Sequence, residues 1–178
     1  MKTNLLYVFA DQWRAEAIGA LGSDQAVTPN IDRFSEESVC CTNAYSTFPL
    51  CSPHRASLMT GKYPFRVGMW TNCKIGLEEK IMLKPQETCI ANVLKDAGFA
   101  TGYIGKWHLD GGDYFGNGIC PEGWDEAYWY DMRRYLEELT EEERLKSRKS
   151  STSFDEDMTE EFTYAHRCSK RAVDFLEE

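Results

Sequence analysis

The sequence predicts an α/β fold, a mainly parallel sheet flanked by helices, and three observations carry that reading. Residues 5–10 (Leu-Leu-Tyr-Val-Phe-Ala) form a continuous apolar run ending at Asp11-Gln12, the pattern of a strand buried on both faces. Ile90, Val93, Leu94 and Ala97 recur at helical spacing behind Thr88, and Gly98 follows as a stop signal. Residues 99–104 then return as a second strand, and strands alternating with helices imply parallel pairing.

The remaining elements follow in order. Thr28-Pro29 is a helix start, with Thr28 as N-cap and Pro29 at the first position; Ile31, Phe34 and Val39 supply its apolar face, and Asp32 is a first-turn acid. Residues 41–45 fit a short strand leading into Cys51-Ser52-Pro53-His54-Arg55, where Pro53 suits the first position of another helix. Residues 62–83 and 110–130 are loops rich in glycine and aromatics. Residues 132–147 fit one solvated helix, 149–157 a polar loop or partly disordered stretch, and 159–177 a final amphipathic helix.

The chain of 178 residues is long enough for one domain with a real core, and 42% apolar residues is a globular composition. A net charge of −9 argues against a nucleic-acid partner but leaves room for an anionic substrate in a local positive site. Seven cysteines, two of them adjacent, do not make a tidy disulfide framework, so mostly free thiols are expected. The first apolar run is too short to be a signal-peptide core or a membrane span. A cytoplasmic protein and an exported one that has lost a leader both remain open.

Three stretches carry chemistry. Cys51 stands where a helix begins, so unpaired backbone N–H groups and the helix dipole favour an anion there; Arg55, a turn later, adds a forked guanidinium. A phosphatase loop would need arginine six residues after the cysteine, where Ser57 stands. A zinc site drawn from Cys40, Cys41, Cys51 and His54 lacks any Cys-x-x-Cys pair. Asp11 and Gln12, at a strand end, offer oxygens that suit a hard cation, although Asp11 could equally cap the turn. Lys106 and His108, two apart where a strand enters a loop, can turn towards one site.

Cys-Ser-Pro-His-Arg followed by Ala-Ser-Leu-Met-Thr-Gly (residues 51–61) resembles the signature of the type I, formylglycine-dependent sulfatases of the alkaline phosphatase/sulfatase superfamily. Residues 98–109 are similar to that family's second signature, with Phe99 in place of a tyrosine, and residues 28–32 are similar to its Thr-Pro-Asn-Ile-Asp segment. The resemblance covers residues 4–110 well and 111–178 more weakly. It implies a sulfuric ester hydrolase in which Cys51, oxidised to Cα-formylglycine by a maturation enzyme, becomes the nucleophile. Arg55 would hold its hydroxyl, Lys106 the sulfuryl oxygens, and His108 would assist with protons. Asp11, Gln12 and the modified Cys51 would bind a divalent metal, calcium first, with magnesium or manganese as alternatives.

The family commonly has Asp-Asp where this chain has Asp11-Gln12, and Asp-Gln-Trp-Arg (residues 11–14) also resembles phosphonate monoester hydrolases, which keeps a phosphonate or phosphodiester substrate as the alternative. The family's remaining metal ligands and its second lysine and histidine have no counterpart here; His166 fits a helix surface. The chain is therefore expected to be the N-terminal part of one catalytic domain, incomplete at its C-terminus and inactive by itself, or else a truncated protein that binds anions or a partner. Within it, 1–110 would be the motif-bearing α/β core, 111–158 a charged substrate-side segment and 159–178 the last helix. A sulfated carbohydrate or small molecule is the expected substrate, with Trp70, Trp107, Trp124 and Trp129 available to stack on sugar faces.

Overall fold

The computed structural model describes residues 3–22, 24–77, 80–150 and 159–178, with side chains omitted for 148–150. The chain divides into two compact units, Met1–Ser46 and Thr47–Glu178.

In the first unit, helix α1 (Pro29–Glu36) begins at the expected proline, with Thr28 in the N-cap position. The Thr28 hydroxyl does not cap the helix. It accepts the Gly19 N–H at 2.8 Å and donates to Asp32 Oδ1 at 2.8 Å, and Asp32 also accepts the Ala20 N–H at 2.9 Å. Asp32 thus fastens the preceding loop to the first turn. Two strand expectations fail. Residues 5–10 are not a strand, and Leu5 and Val8 are 63% and 82% exposed. Residues 41–45 are turn and irregular chain. An apolar run becomes a buried strand only when neighbours pair its backbone and cover its faces. Among the described residues strand pairing occurs only between residues 103–104 and 129–130.

The second unit is organised around that pair. Strand β1 (Tyr103–Ile104) lies parallel to β2 (Trp129–Tyr130), with Tyr103 opposite Trp129 and Ile104 opposite Tyr130. The sheet is parallel, as expected, but small. The expected strand over 99–104 is reduced to its last two residues, and β2 arises inside a stretch expected to be loop. Helices α2 (Cys51–Thr60) and α3 (Ile90–Asp96) precede β1. The N-cap of α3 is Cys89 rather than Thr88, and its N–H is accepted by Asn92 Oδ1 at 2.8 Å. Only Ala91 of α3 is fully buried; Ile90 and Val93 remain exposed, so the predicted apolar face is not the packed one.

The core joins α2 to the sheet through Ala56, Met59, Met69, Tyr103, Trp107 and Trp129. Tyr103 is its hub, stacked on Trp129 at 5.2 Å and meeting Trp107 edge-on at 5.0 Å and Trp124 at 5.2 Å. Each such pair adds about 0.5–1.5 kcal/mol beyond the area it buries. Of the tryptophans available to stack on a sugar, Trp107 and Trp129 are buried in this core and Trp124 packs against it, while Trp70 remains exposed.

The expected single helix over 132–147 is two, α4 (Met132–Glu138) and α5 (Glu141–Ser150). Thr140 and Glu143 form a reciprocal cap: the Glu143 N–H donates to Thr140 Oγ1 at 3.2 Å and the Thr140 N–H to Glu143 Oε2 at 2.8 Å. Leu139 just before it is buried, which pins the break. Residues 149–150, expected as loop, close α5, and the rest of that polar stretch lies outside the described residues. A 3-10 turn at Glu160–Phe162 leads into α6 (Tyr164–Glu177), where Thr163 Oγ1 accepts the His166 N–H at 3.2 Å. Phe162 and Cys168 pack on the second core of Tyr130, Tyr135 and Leu139, while Ala165 and Leu176, expected on the same face, are exposed. All seven cysteines are described and none is in a disulfide. No helix among the described residues is long and apolar enough to cross a membrane.

Asp131 is fully buried, accepting the Arg134 N–H at 2.9 Å and the Gly118 N–H at 3.0 Å, so it caps α4 and anchors the preceding loop together. Asp131→Ala is expected to cost about 3 kcal/mol in urea unfolding, a lost cap plus stranded donors. Burial raises the Asp131 carboxyl above its ordinary range despite these donors. Between the unfolded and folded values the folded state holds more protons. Stability from this group is therefore fully present below the unfolded value and falls as pH rises through the folded one. The alanine variant should lose that slope.

Candidate functional site

Helix α2 starts at Cys51, two residues earlier than the proline rule predicts, so Pro53 occupies the third position. Proline is tolerated there because first-turn N–H groups have no partner within the helix. Leu50, the N-cap, has no side chain able to accept those N–H groups. A substitute comes from 20 residues away in sequence, as Asn72 Oδ1 accepts the Ser52 N–H at 3.0 Å. The helix ends at Gly61, whose left-handed φ of 66° and N–H bond to Ser57 O form a glycine stop. Ser52, Pro53, Arg55, Ala56 and Met59 face inward, and Cys51 at the helix mouth is half-buried.

Arg55 is only 4% exposed, and its Nη1 donates to Tyr103 Oη at 3.2 Å and to the Lys106 carbonyl. Tyr103 Oη itself donates to the same carbonyl at 2.5 Å. The guanidinium thus links the cysteine helix to the chain leaving β1. At Gly105 that chain takes φ 130°, a conformation open to glycine, while the Gly105 N–H donates to Tyr130 O at 2.8 Å. Lys106 is half-buried, its Nζ 5.8 Å from the centre of the Tyr114 ring, a cation–π distance. His108 is 6% exposed, with φ 56° and Nε2 2.9 Å from the Cys73 carbonyl. Cys73 in turn donates its N–H to Ser52 Oγ at 3.0 Å. Burial raises the Cys73 thiol above its ordinary range, which keeps it neutral.

The segments that carry Cys51, Arg55, Lys106 and His108 are therefore tied together in the second unit, through Arg55 to the Lys106 carbonyl on one side and through Ser52, Asn72 and Cys73 to His108 on the other. Asp11 and Gln12 lie in the first unit, at an exposed bend instead of a strand end. Gln12 has φ 56°; among the described residues only it and His108 combine a side chain with positive φ. Such backbone costs about 1–3 kcal/mol and collects at functional positions. Trp13 and Arg14 are engaged locally, the Trp13 Nε1–H donating to Ala17 O at 3.2 Å and Arg14 forking onto Asp24 Oδ2 at 2.5 and 3.0 Å.

The oxygens of Asp11 and Gln12 suit a hard divalent cation in kind. Among the described residues no three His, Cys, Asp or Glu side chains gather as a metal site. Two cavities of about 220 and 210 Å³ are lined by other residues than Cys51, Arg55, Lys106 or His108. Asn72, Cys73, Tyr103 and Tyr114 escaped the sequence reading. Only Tyr103, five residues before His108 in a recognisable motif, left any signal there; the others act across 8 to 35 residues of sequence.

Arg55→Lys should cost about 2 kcal/mol in urea unfolding, because the lysine side chain, one bond shorter, does not carry its nitrogen to the Nη1 position from which both bonds leave. Amide hydrogen exchange at residues 106–108 should rise with it.

Comparison with known proteins agrees with these motifs. The family model for Sulfatase matches residues 3–176. An uncharacterized sulfatase, YidJ of Escherichia coli K12, is 40% identical over 99% of this chain and 35% of its own length. An N-acetylgalactosamine-6-O-sulfatase of Bacteroides thetaiotaomicron is 37% identical over 74% of this chain and 26% of its own. Among solved structures, the YidJ sulfatase candidate of Bacteroides fragilis superposes with a TM-score of 0.54 at 34% identity, covering 66% of this chain and 28% of that one. Ps i-CgsB reaches 0.64 over 96% of this chain and 40% of that one; at 23% identity it speaks for the fold alone. The chain spans between about a fifth and a third of the length of the curated relatives it matches. It belongs to the sulfatase family.

Proposed function

We propose that the full-length protein, with this chain as its N-terminal part, hydrolyses sulfate esters, with residue 51 as the reacting position once Cys51 has been oxidised to formylglycine. The observation that carries this reading is the joining of the two family signatures through the buried Arg55 guanidinium. When present, the aldehyde hydrate at position 51 supplies the oxygen nucleophile, and a divalent cation, calcium first among the candidates, supplies charge to acidify it. Asp11 and Gln12 would contribute ligands to that cation.

The chain's own residues do the rest. Arg55, fixed from two sides, presents positive charge at the start of α2, where the helix dipole already favours an anion. The Lys106 ammonium holds sulfuryl oxygens as negative charge builds on them, and Tyr114 faces that ammonium from one side. His108, anchored through one ring nitrogen, moves a proton at the other. The maturation enzyme is a required partner in this reading. A carbohydrate sulfate is the favoured substrate class, because one relative is named for its action on N-acetylgalactosamine 6-O-sulfate.

Peptide mass spectrometry across residue 51 should find a mass about 18 Da below that of cysteine, the difference between a thiol and an aldehyde side chain. The matured protein should turn over an aryl sulfate faster than the matching aryl phosphonate; the reverse order would replace the reading. Lys106→Ala should lower kcat/KM for the sulfate about a hundredfold, the loss typical of a removed oxyanion donor.

A further inference from the structure

We propose that the Asn72–Cys73 segment is a positioning device that fixes His108 as its Nε2–H tautomer and locks it in register with the helix carrying residue 51. This rests on the sulfatase reading for its catalytic consequence, but its structural content is independent. A carbonyl oxygen can only accept, so the His108 Nε2 lying 2.9 Å from Cys73 O carries the proton. Proton exchange is thereby assigned to Nδ1. The His108 backbone adopts a left-handed φ of 56° at this contact, a strain that a fixed ring orientation would explain.

The same segment reaches the other half of the site by two reciprocal bonds. The Cys73 N–H donates to Ser52 Oγ and the Ser52 N–H to Asn72 Oδ1, each at 3.0 Å. Ser52 and Cys73 are essentially inaccessible to solvent, so water is kept from the bond between them, and a low dielectric strengthens it. The Asn72–Cys73 segment thus holds the residue beside position 51 with one set of groups and the imidazole with another. A shift of α2 is transmitted to the ring, and the nucleophile and Nδ1 keep their separation. Ser52 and Asn72 are positioning residues in this scheme, acting through the Cys73 peptide.

Nitrogen-15 spectra of the histidine-labelled matured protein test the first half, with the His108 signals assigned by their disappearance in His108→Gln. The expected neutral form is Nε2–H; a dominant Nδ1–H form would overturn the proposal whatever the activity. Ser52→Ala and Asn72→Ala test the second half, each with formylglycine content at residue 51 measured so that failed maturation is not mistaken for mispositioning. At matched content, kcat on an aryl sulfate should fall tenfold or more while KM stays within about twofold, as expected when reacting groups are displaced without loss of binding. Ser52→Ala should also yield mixed tautomers. Unchanged kcat in both variants would overturn the proposal. A parent protein that leaves sulfate esters intact would instead sink the sulfatase reading, and the tautomer result would still decide the clamp.

Discussion

The second unit depends on a buried cation. Taking the Arg55 guanidinium out of water costs several kcal/mol unless its N–H groups find acceptors, and those shown are a phenol oxygen and a main-chain carbonyl from the far side of the core. That requirement fixes where β1 must end relative to α2. It also recruits Tyr103, which accepts from Arg55, donates to Lys106 O and occupies the middle of the aromatic cluster with Trp107, Trp124 and Trp129. Packing and polar satisfaction are met by the same side chain. Loss of the cation would therefore affect the aromatic core and the lysine loop together.

A second constraint acts at the mouth of α2. A helix that begins behind a leucine has no local acceptor for its first N–H groups, and Asn72 supplies one from the loop after the helix. That loop then returns to meet His108 through Cys73. Two weaknesses that would otherwise be costly, a poor N-cap and a histidine in left-handed backbone, are thus compensated by one short segment. The residues so held lie in the two stretches that resemble the sulfatase signatures, and the chain belongs to that family.

Much of the site was legible in the sequence because it is carried by local motifs. Cys51, Pro53 and Arg55 share one helical turn and a half, and Gly105 to His108 are consecutive. The misreadings share a physical cause. Residues 5–10 and 41–45 have strand-like composition, but a strand exists only by pairing, and composition does not say whether a partner is present. The split between α4 and α5 was written in Thr140 and Glu143, where helix-forming composition on both sides masked a capping box.

By itself the sequence determined the family, the α/β character and the helix start at Pro29, because each is encoded by residues within a turn or two of one another. Tertiary structure alone decided which tryptophans became core, which carbonyl Arg55 reaches, and that Ser52, Asn72 and Cys73 tie position 51 to His108. Those are choices among partners 20 to 51 residues apart, settled by which buried donors and acceptors could be satisfied together.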